Sequence, residues 1–141
     1  MTVPRYARPA ILVIDDEPEM CALFEEILSV EKAQILSART GVEALAIARR
    51  TRLDLVILDL RLPDVSGTEV LRRLRRLDDS LPVVMVTAYG SADTVRTSMR
   101  LGAFDYVTKP FDIPEIQRVI REALASAATA AGSPIASHGG V

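Results

Sequence analysis

Three aspartates, one threonine and one lysine carry the chemistry of this sequence. Asp15 and Asp16 close the apolar run ILVIDD, and Asp59 closes LVILD. Thr87 closes PVVMVT, and Lys109 follows FDYVT and precedes Pro110. Each stands where a short apolar run gives way to polar residues. Carboxylates in close company repel one another and stay ionised only beside a cation. An oxygen-only donor set suits Mg²⁺, a hard ion that takes one or two carboxylates and keeps part of its water shell. Lys109 would balance the remaining charge. A carboxylate can act as a nucleophile toward phosphorus, giving an aspartyl phosphate. A metal and a lysine stabilise the charge on a phosphoryl group in transfer. Thr87 would then donate its hydroxyl to a phosphoryl oxygen.

For these residues to meet, the runs that end in them must lie side by side. Ala10–Ile14, Ala33–Ser37, Leu53–Leu58, Pro82–Thr87 and Phe104–Thr108 are short and rich in Val, Ile and Leu, so they read as buried strands. Helical stripes lie between them. Met20, Leu23, Phe24, Ile27 and Leu28 form one, Val70, Leu71, Leu74 and Leu77 a second, and Ile116, Val119, Ile120, Ala123 and Leu124 a third. Thr40, Ser66 and Asp112 each stand three residues before a Glu, the spacing of a helix-capping box. Gly102 stands where a left-handed helix stop is expected. Alternating strands and helices predict an α/β fold of five βα units, a doubly wound parallel sheet with helices on both faces. In such open sheets, ligands bind beyond the carboxyl ends of the strands. The acids, Thr87 and Lys109 therefore converge on one edge. The second strand ends in Ser37-Ala38-Arg39 and adds no evident chemistry. A flavodoxin-like strand order of 2-1-3-4-5, taken by analogy, would set strands one and three side by side at the switch point.

The 141 residues suit one domain. Residues 1–8 read as an N-terminal arm, 9–125 as the folded domain, and the small, polar stretch 126–141 as a flexible tail or linker. Lys and Arg number 17 against 19 Asp and Glu, a formal charge of −2 that argues against coating nucleic acid or an anionic membrane. Cys21 is the single cysteine, so no internal disulfide or zinc ligand set exists, and a reducing, cytoplasmic setting fits. The N-terminus lacks an apolar signal core. No apolar run approaches the roughly 18 residues of a membrane span. The one histidine, His138, lies in the tail, so the domain holds no histidine to serve as metal ligand, triad member or phosphoryl donor.

The pieces ILVIDDEPEM, LVILDLRLPDVSG, PVVMVTAYG and GAFDYVTKPF, in this order and spacing, resemble the receiver domains of two-component response regulators. The likeness covers about residues 9–125. It is greatest, over TAYGSADTVRTSMRLGAFDYVTKPFD, to receivers attached to alternative-sigma-factor activators. The resemblance implies that Asp59 is the phosphoacceptor. It implies that Asp15, Asp16 and Asp59 bind Mg²⁺ with the backbone carbonyl of Arg61. It implies that Thr87 and Lys109 contact the phosphoryl group, that Tyr106 changes rotamer on activation, and that the Lys109–Pro110 peptide is cis. The function implied is a phosphorylation-activated signalling switch, not a metabolic enzyme. A histidine kinase or phosphotransfer protein donates, and the surface of the last two βα units, about residues 88–120, controls an output domain, a partner or a second copy. Leu62 stands where the family often has Met, a conservative core exchange. Arg61 reaches the rim of the site, at a position that influences phosphate lifetime in the family.

Simpler readings exist for each residue. Asp16 alone reads equally as a cap for the helix that Pro18 opens. Thr87 alone is an ordinary strand residue, and Lys109 alone a solvated lysine; the constellation promotes both. Tyr106 reads also as a half-buried strand aromatic with its hydroxyl at the surface. Arg72, Arg73, Arg75 and Arg76 tempt a nucleic-acid reading, but they are the wet face of a helix whose Leu71, Leu74 and Leu77 face the core. Cys21 reads as a small buried residue. Three rival functions stand beside the switch. An aspartate-nucleophile phosphohydrolase wants a second acid two residues after the nucleophile, where this chain has Arg61; Asp64 is too far along the loop. A flavin-binding electron carrier wants a hydroxyl- and glycine-rich first loop, where this chain has Asp15-Asp16-Glu17-Pro18. A receiver that binds partners without phosphorylation would not need the full set of acids, Thr and Lys.

Overall fold

The computed structural model describes residues 8–132, with side chains through residue 127. The expected arm at 1–8, all but its last residue, and the tail beyond Gly132 with His138 lie outside the described residues. Five strands form one parallel sheet: β1 (Ala10–Ile14), β2 (Gln34–Ala38), β3 (Leu55–Leu58), β4 (Val83–Thr87) and β5 (Asp105–Thr108), in the order β2-β1-β3-β4-β5. The helices are α1 (Pro18–Ile27), continued by a 3-10 turn at Leu28–Glu31, then α2 (Gly41–Arg50), α3 (Gly67–Leu77), α4 (Ala92–Arg100) and α5 (Ile113–Gly132). This is the doubly wound architecture that the alternating periodicity predicts. No helix among the described residues is long and apolar enough to cross a membrane.

The period of two along each strand divides the core into two halves. Leu12 and Ile14 of β1, Val56 and Leu58 of β3 and Met85 of β4 face α2 and α3, meeting Leu45, Val70, Leu71 and Leu74. Ile11, Val13, Ile57, Val84 and Val86 point the other way, onto Phe24 and Ile27 of α1 and Ile116, Val119 and Ile120 of α5. Phe24 also packs its ring 5.8 Å from that of Phe111. Burying each Leu or Ile contributes about 1.5–3 kcal/mol, so the sheet is anchored from both faces. α4 differs, because Ser98 is its one buried residue and Met99 is exposed.

Local signals decide the boundaries. The hydroxyls of Thr40 and Ser66 accept from the Glu43 and Glu69 amides, as their spacing predicts. Asp112 immediately precedes α5, and its backbone carbonyl accepts from the Ile116 amide in the first turn. Ser91 and Thr94 make a full capping box at α4, with Thr in the place usually taken by Glu or Gln. Gly102 ends α4 with φ +99°. Four strand starts differ from the sequence reading; β4 opens at Val83, not Pro82, and β5 at Asp105, not Phe104. β2 begins at Gln34, not Ala33, because Lys32 takes the left-handed conformation and the ladder opens with Gln34 opposite Ala10. β3 begins at Leu55, not Leu53, and the Asp54 amide and carboxylate both bond Ala10.

Candidate functional site

The ladder runs one residue past the strand ends and so fixes the backbones of the charged groups. The Asp15 amide donates to Ala38 O at 3.0 Å, the Asp59 amide to Ile14 O at 3.0 Å, and the Lys109 amide to Thr87 O at 3.0 Å. Asp15 and Asp59 are 3% and 4% exposed, so their side chains have little recourse to water. Lys109 supplies the missing cation. Its Nζ donates to Asp15 Oδ2 at 2.8 Å and Asp59 Oδ2 at 3.1 Å, and stands 3.5 Å from Glu17 Oε1. The other oxygens accept from backbone: Asp15 Oδ1 from the Glu17 amide at 2.9 Å, and Asp59 Oδ1 from the Arg61 amide at 3.2 Å.

These contacts set the protonation balance. Burial pushes the Asp15 carboxyl above its ordinary range, and the Lys109 and Glu17 hydrogen bonds only partly offset it. Burial alone would pull the Lys109 ammonium down, but the hydrogen bond and charge of Asp15, then those of Asp59, outweigh it and hold it above its ordinary value. Burial, then the Asp15 charge, raises the Cys21 thiol, whose Sγ lies 3.8 Å from the Asp15 carbonyl. That places Cys21 among inert buried thiols.

Asp16 is exposed, and it offers a carboxylate oxygen within 4.8 Å of one from Asp15 and one from Asp59. It does not cap α1: the residue at the cap is Glu17, and no side chain bonds there. The three clustered aspartates, with Glu17 nearby, outnumber the one ammonium and leave a net negative charge that a divalent cation would offset. The donor set therefore fits Mg²⁺.

Thr87 is fully buried. Its Oγ1 accepts from the Tyr89 amide at 3.0 Å, which leaves its own O–H to donate. The Tyr106 hydroxyl is buried without a hydrogen-bond partner and lies against Gly90, where an added Cβ would collide with it. The surface-hydroxyl reading of Tyr106 is thus not what the fold makes of it. The Lys109–Pro110 peptide is cis. A cavity of about 330 Å³ opens on this edge between Asp16, Glu17, Asp59 and Lys109 on one side and Arg61, Ala88 and Tyr89 on the other. The Arg61 guanidinium stacks over the Tyr89 ring at 4.1 Å, forming part of the rim.

Sequence reasoning missed two participants. Glu17 turns toward Lys109, and its place in the acidic first loop was the signal. Tyr89 follows Thr87 by two residues and meets Arg61 only through the folding of two separate loops. Asp64 does not approach Asp59 as a second acid would. Its carboxylate is engaged by the amides of Gly41 and Val42.

Known proteins resemble the chain throughout this region. Sporulation initiation phosphotransferase F of Bacillus subtilis (strain 168) is 38% identical over 114 residues, spanning 81% of this chain and 92% of that protein. Response regulator protein PilR of Pseudomonas aeruginosa is 38% identical over 118 residues, spanning 84% of this chain but only 26% of that protein. Among solved structures, a response regulator receiver domain protein of Methanospirillum hungatei JF-1 superposes with a TM-score of 0.82 at 30% identity, covering 85% of this chain and 96% of that one. Residues 11–121 match the response regulator receiver domain family, the family to which this chain belongs.

Proposed function

We propose that this receiver is a phosphorylation-activated switch in which Asp59 accepts a phosphoryl group from a histidine kinase or phosphotransfer partner. The observation that carries the reading is the Lys109 ammonium held between Asp15 and Asp59 in the lining of the cavity, at the sheet edge where β4 ends in the buried Thr87. Asp15, Asp16, Asp59 and the backbone carbonyl of Arg61 would hold one Mg²⁺, which when bound screens the carboxylates and shares the charge of the phosphoryl oxygens.

Asp59 forms a new oxygen–phosphorus bond as the donor's nitrogen–phosphorus bond breaks, and the imidazole leaves with the bonding pair. Lys109 exchanges its hydrogen bond to Asp59 for one to a phosphoryl oxygen, and Thr87 donates its hydroxyl to another. The modified side chain carries about −1.5 to −2 charges where Asp59 carried one. Thr87 moves toward it, and Tyr106, whose hydroxyl has no partner to lose, follows. α4 is the helix free to respond, since it buries little. Converting 1:99 to 99:1 takes about 5.5 kcal/mol of differential binding, within reach of a dianion newly paired to a cation, an ammonium and a hydroxyl. Water attack on the acyl phosphate returns Asp59. The face formed by α4, β5 and α5 then engages an output domain, a partner or a second copy of the chain. The product is a signal in the cytoplasm, with no direct role for nucleic acid or membrane.

Intact-mass spectrometry after incubation with acetyl phosphate tests this. One phosphoryl adduct is expected in Mg²⁺, none in chelator and none on Asp59→Ala. A folded wild-type chain that takes no adduct would reject the switch and favour phosphorylation-independent binding.

A further inference from the structure

The loop that carries Asp59 and Arg61 from β3 to α3 is tied to α2, the helix packed beside α3 on the same face of the sheet. Asp64, midway along that loop, sends both carboxylate oxygens to the N-terminus of α2. Oδ1 accepts from the Gly41 amide at 2.8 Å and Oδ2 from the Val42 amide at 2.9 Å. These are amides that a helix cannot satisfy from within itself. The helix's own cap, Thr40, takes only the Glu43 amide. α2 thus has two caps, one from its own chain and one lent by the phosphoacceptor loop.

The packing is built for this approach. A Cβ on Gly41 would collide with Val65 Cγ2 and come within 3.0 Å of Val70 Cγ2, so only glycine lets the loop come this close. The loop is closed at its far end by Gly67, whose amide donates to Leu60 O at 2.7 Å. The bonds to Gly41 and Val42 also hold the Asp64 carboxyl below its ordinary range, so it is ionised throughout the neutral range and suited to the positive end of a helix.

We infer that Asp64 is a positioning residue for phosphorylation: by clamping the β3–α3 loop to α2 it places the Arg61 backbone against Asp59. The Arg61 amide is the partner of Asp59 Oδ1, and the carbonyl of the same residue is the backbone ligand proposed for Mg²⁺. Loosening the loop disturbs both backbone groups of Arg61 while leaving Asp15, Asp16 and Lys109 in place. The inference rests on the phosphoacceptor role proposed for Asp59.

The test compares Asp64→Ala with Thr40→Ala, the second removing the helix's own cap without freeing the loop. Mg²⁺ titration of the unphosphorylated protein, followed by the amide resonances of Leu60 and Arg61, reads the effect directly. Asp64→Ala is expected to weaken the midpoint 3- to 10-fold (on the order of 0.7–1.4 kcal/mol, at 1.4 kcal/mol per tenfold). Thr40→Ala should lower thermal stability to a similar degree and leave the midpoint within twofold. Phosphorylation by acetyl phosphate at low Mg²⁺ should slow in Asp64→Ala and recover as Mg²⁺ is raised. An unchanged midpoint in Asp64→Ala, or equal shifts in both variants, overturns the positioning role while the receiver reading stands. A wild-type chain that is not phosphorylated overturns both.

Discussion

The two ends of the same sheet use carboxylates in opposite ways. At the amino edge Asp54 sits beside β1, and its amide donates to Ala10 O at 2.8 Å while its Oδ2 accepts from the Ala10 amide at 2.9 Å. A single acid meets a neutral donor there, and water reaches it. At the carboxyl edge Asp15 and Asp59 are buried together around one lysine, with Asp16 alongside. The first arrangement completes a ladder. The second holds unneutralised charge against the cost of burial, and that cost is what a cation or a phosphoryl group can relieve. The strands between the two edges are the same residues, so the contrast comes from the ends alone.

Three substitutions or titrations would break or sharpen the contrast. The largest effect belongs to the amino edge. Asp54→Ala leaves the Ala10 amide without its acceptor and should lower unfolding free energy by about 1–2 kcal/mol, read by denaturant titration, with acetyl phosphate labelling unchanged. A loss of labelling there would mean the two edges are coupled through β1. At the carboxyl edge the sign reverses. Asp15→Asn keeps an acceptor for the Glu17 amide but removes a buried charge whose carboxyl is already raised by burial. Its melting temperature in metal-free buffer at pH 7 should equal or exceed that of wild type by a few degrees, and added Mg²⁺ should no longer raise it. A marked loss of stability would show that the Lys109 bond outweighs the burial cost.

The smallest effect is a pH dependence. The Lys109 ammonium is held above its ordinary value in the folded chain, despite burial, by Asp15 and Asp59. A group raised on folding binds its proton more tightly in the native state. Its stabilisation is therefore complete below the unfolded value of about 10.4 and fades as pH rises through the higher folded value. Wild type should lose stability as pH rises above about 10 more steeply than Lys109→Met. Parallel curves would remove Lys109 as the keystone of the acidic edge.

Much of this was legible from residues alone, and the reasons differ by element. Ala10–Ile14 is buried at every position, and a run of five apolar residues admits little else in an alternating chain. Gly102 announced its positive φ because a non-glycine residue there would be strained. α4 was the least legible helix. It buries only Ser98, so it carries no apolar stripe, and its capping box uses Thr94 in place of an acid. Of the site, the strand-end rule found Asp15, Asp59, Thr87 and Lys109, because topology alone assigns residues to an edge. It could not say whether Asp16 caps a helix or faces its neighbours, or whether the Tyr106 hydroxyl is inside or out. Both depend on side-chain direction, which spacing does not carry.

The sequence by itself determined the five βα units, the edge at which the charges gather and the family that shares them. Those follow from local periodicity and from polar residues placed at strand ends. Only the tertiary structure decided which oxygen of Asp59 faces Lys109 and which faces Arg61, that Arg61 lies over Tyr89, and that Asp64 ties its loop to α2 rather than serving as a second acid. The reason is physical. Burial and ladder pairing act on patterns that one stretch of chain carries alone. Hydrogen bonds between loops depend on the separation of residues more than twenty positions apart, and that separation exists only once the sheet has set it.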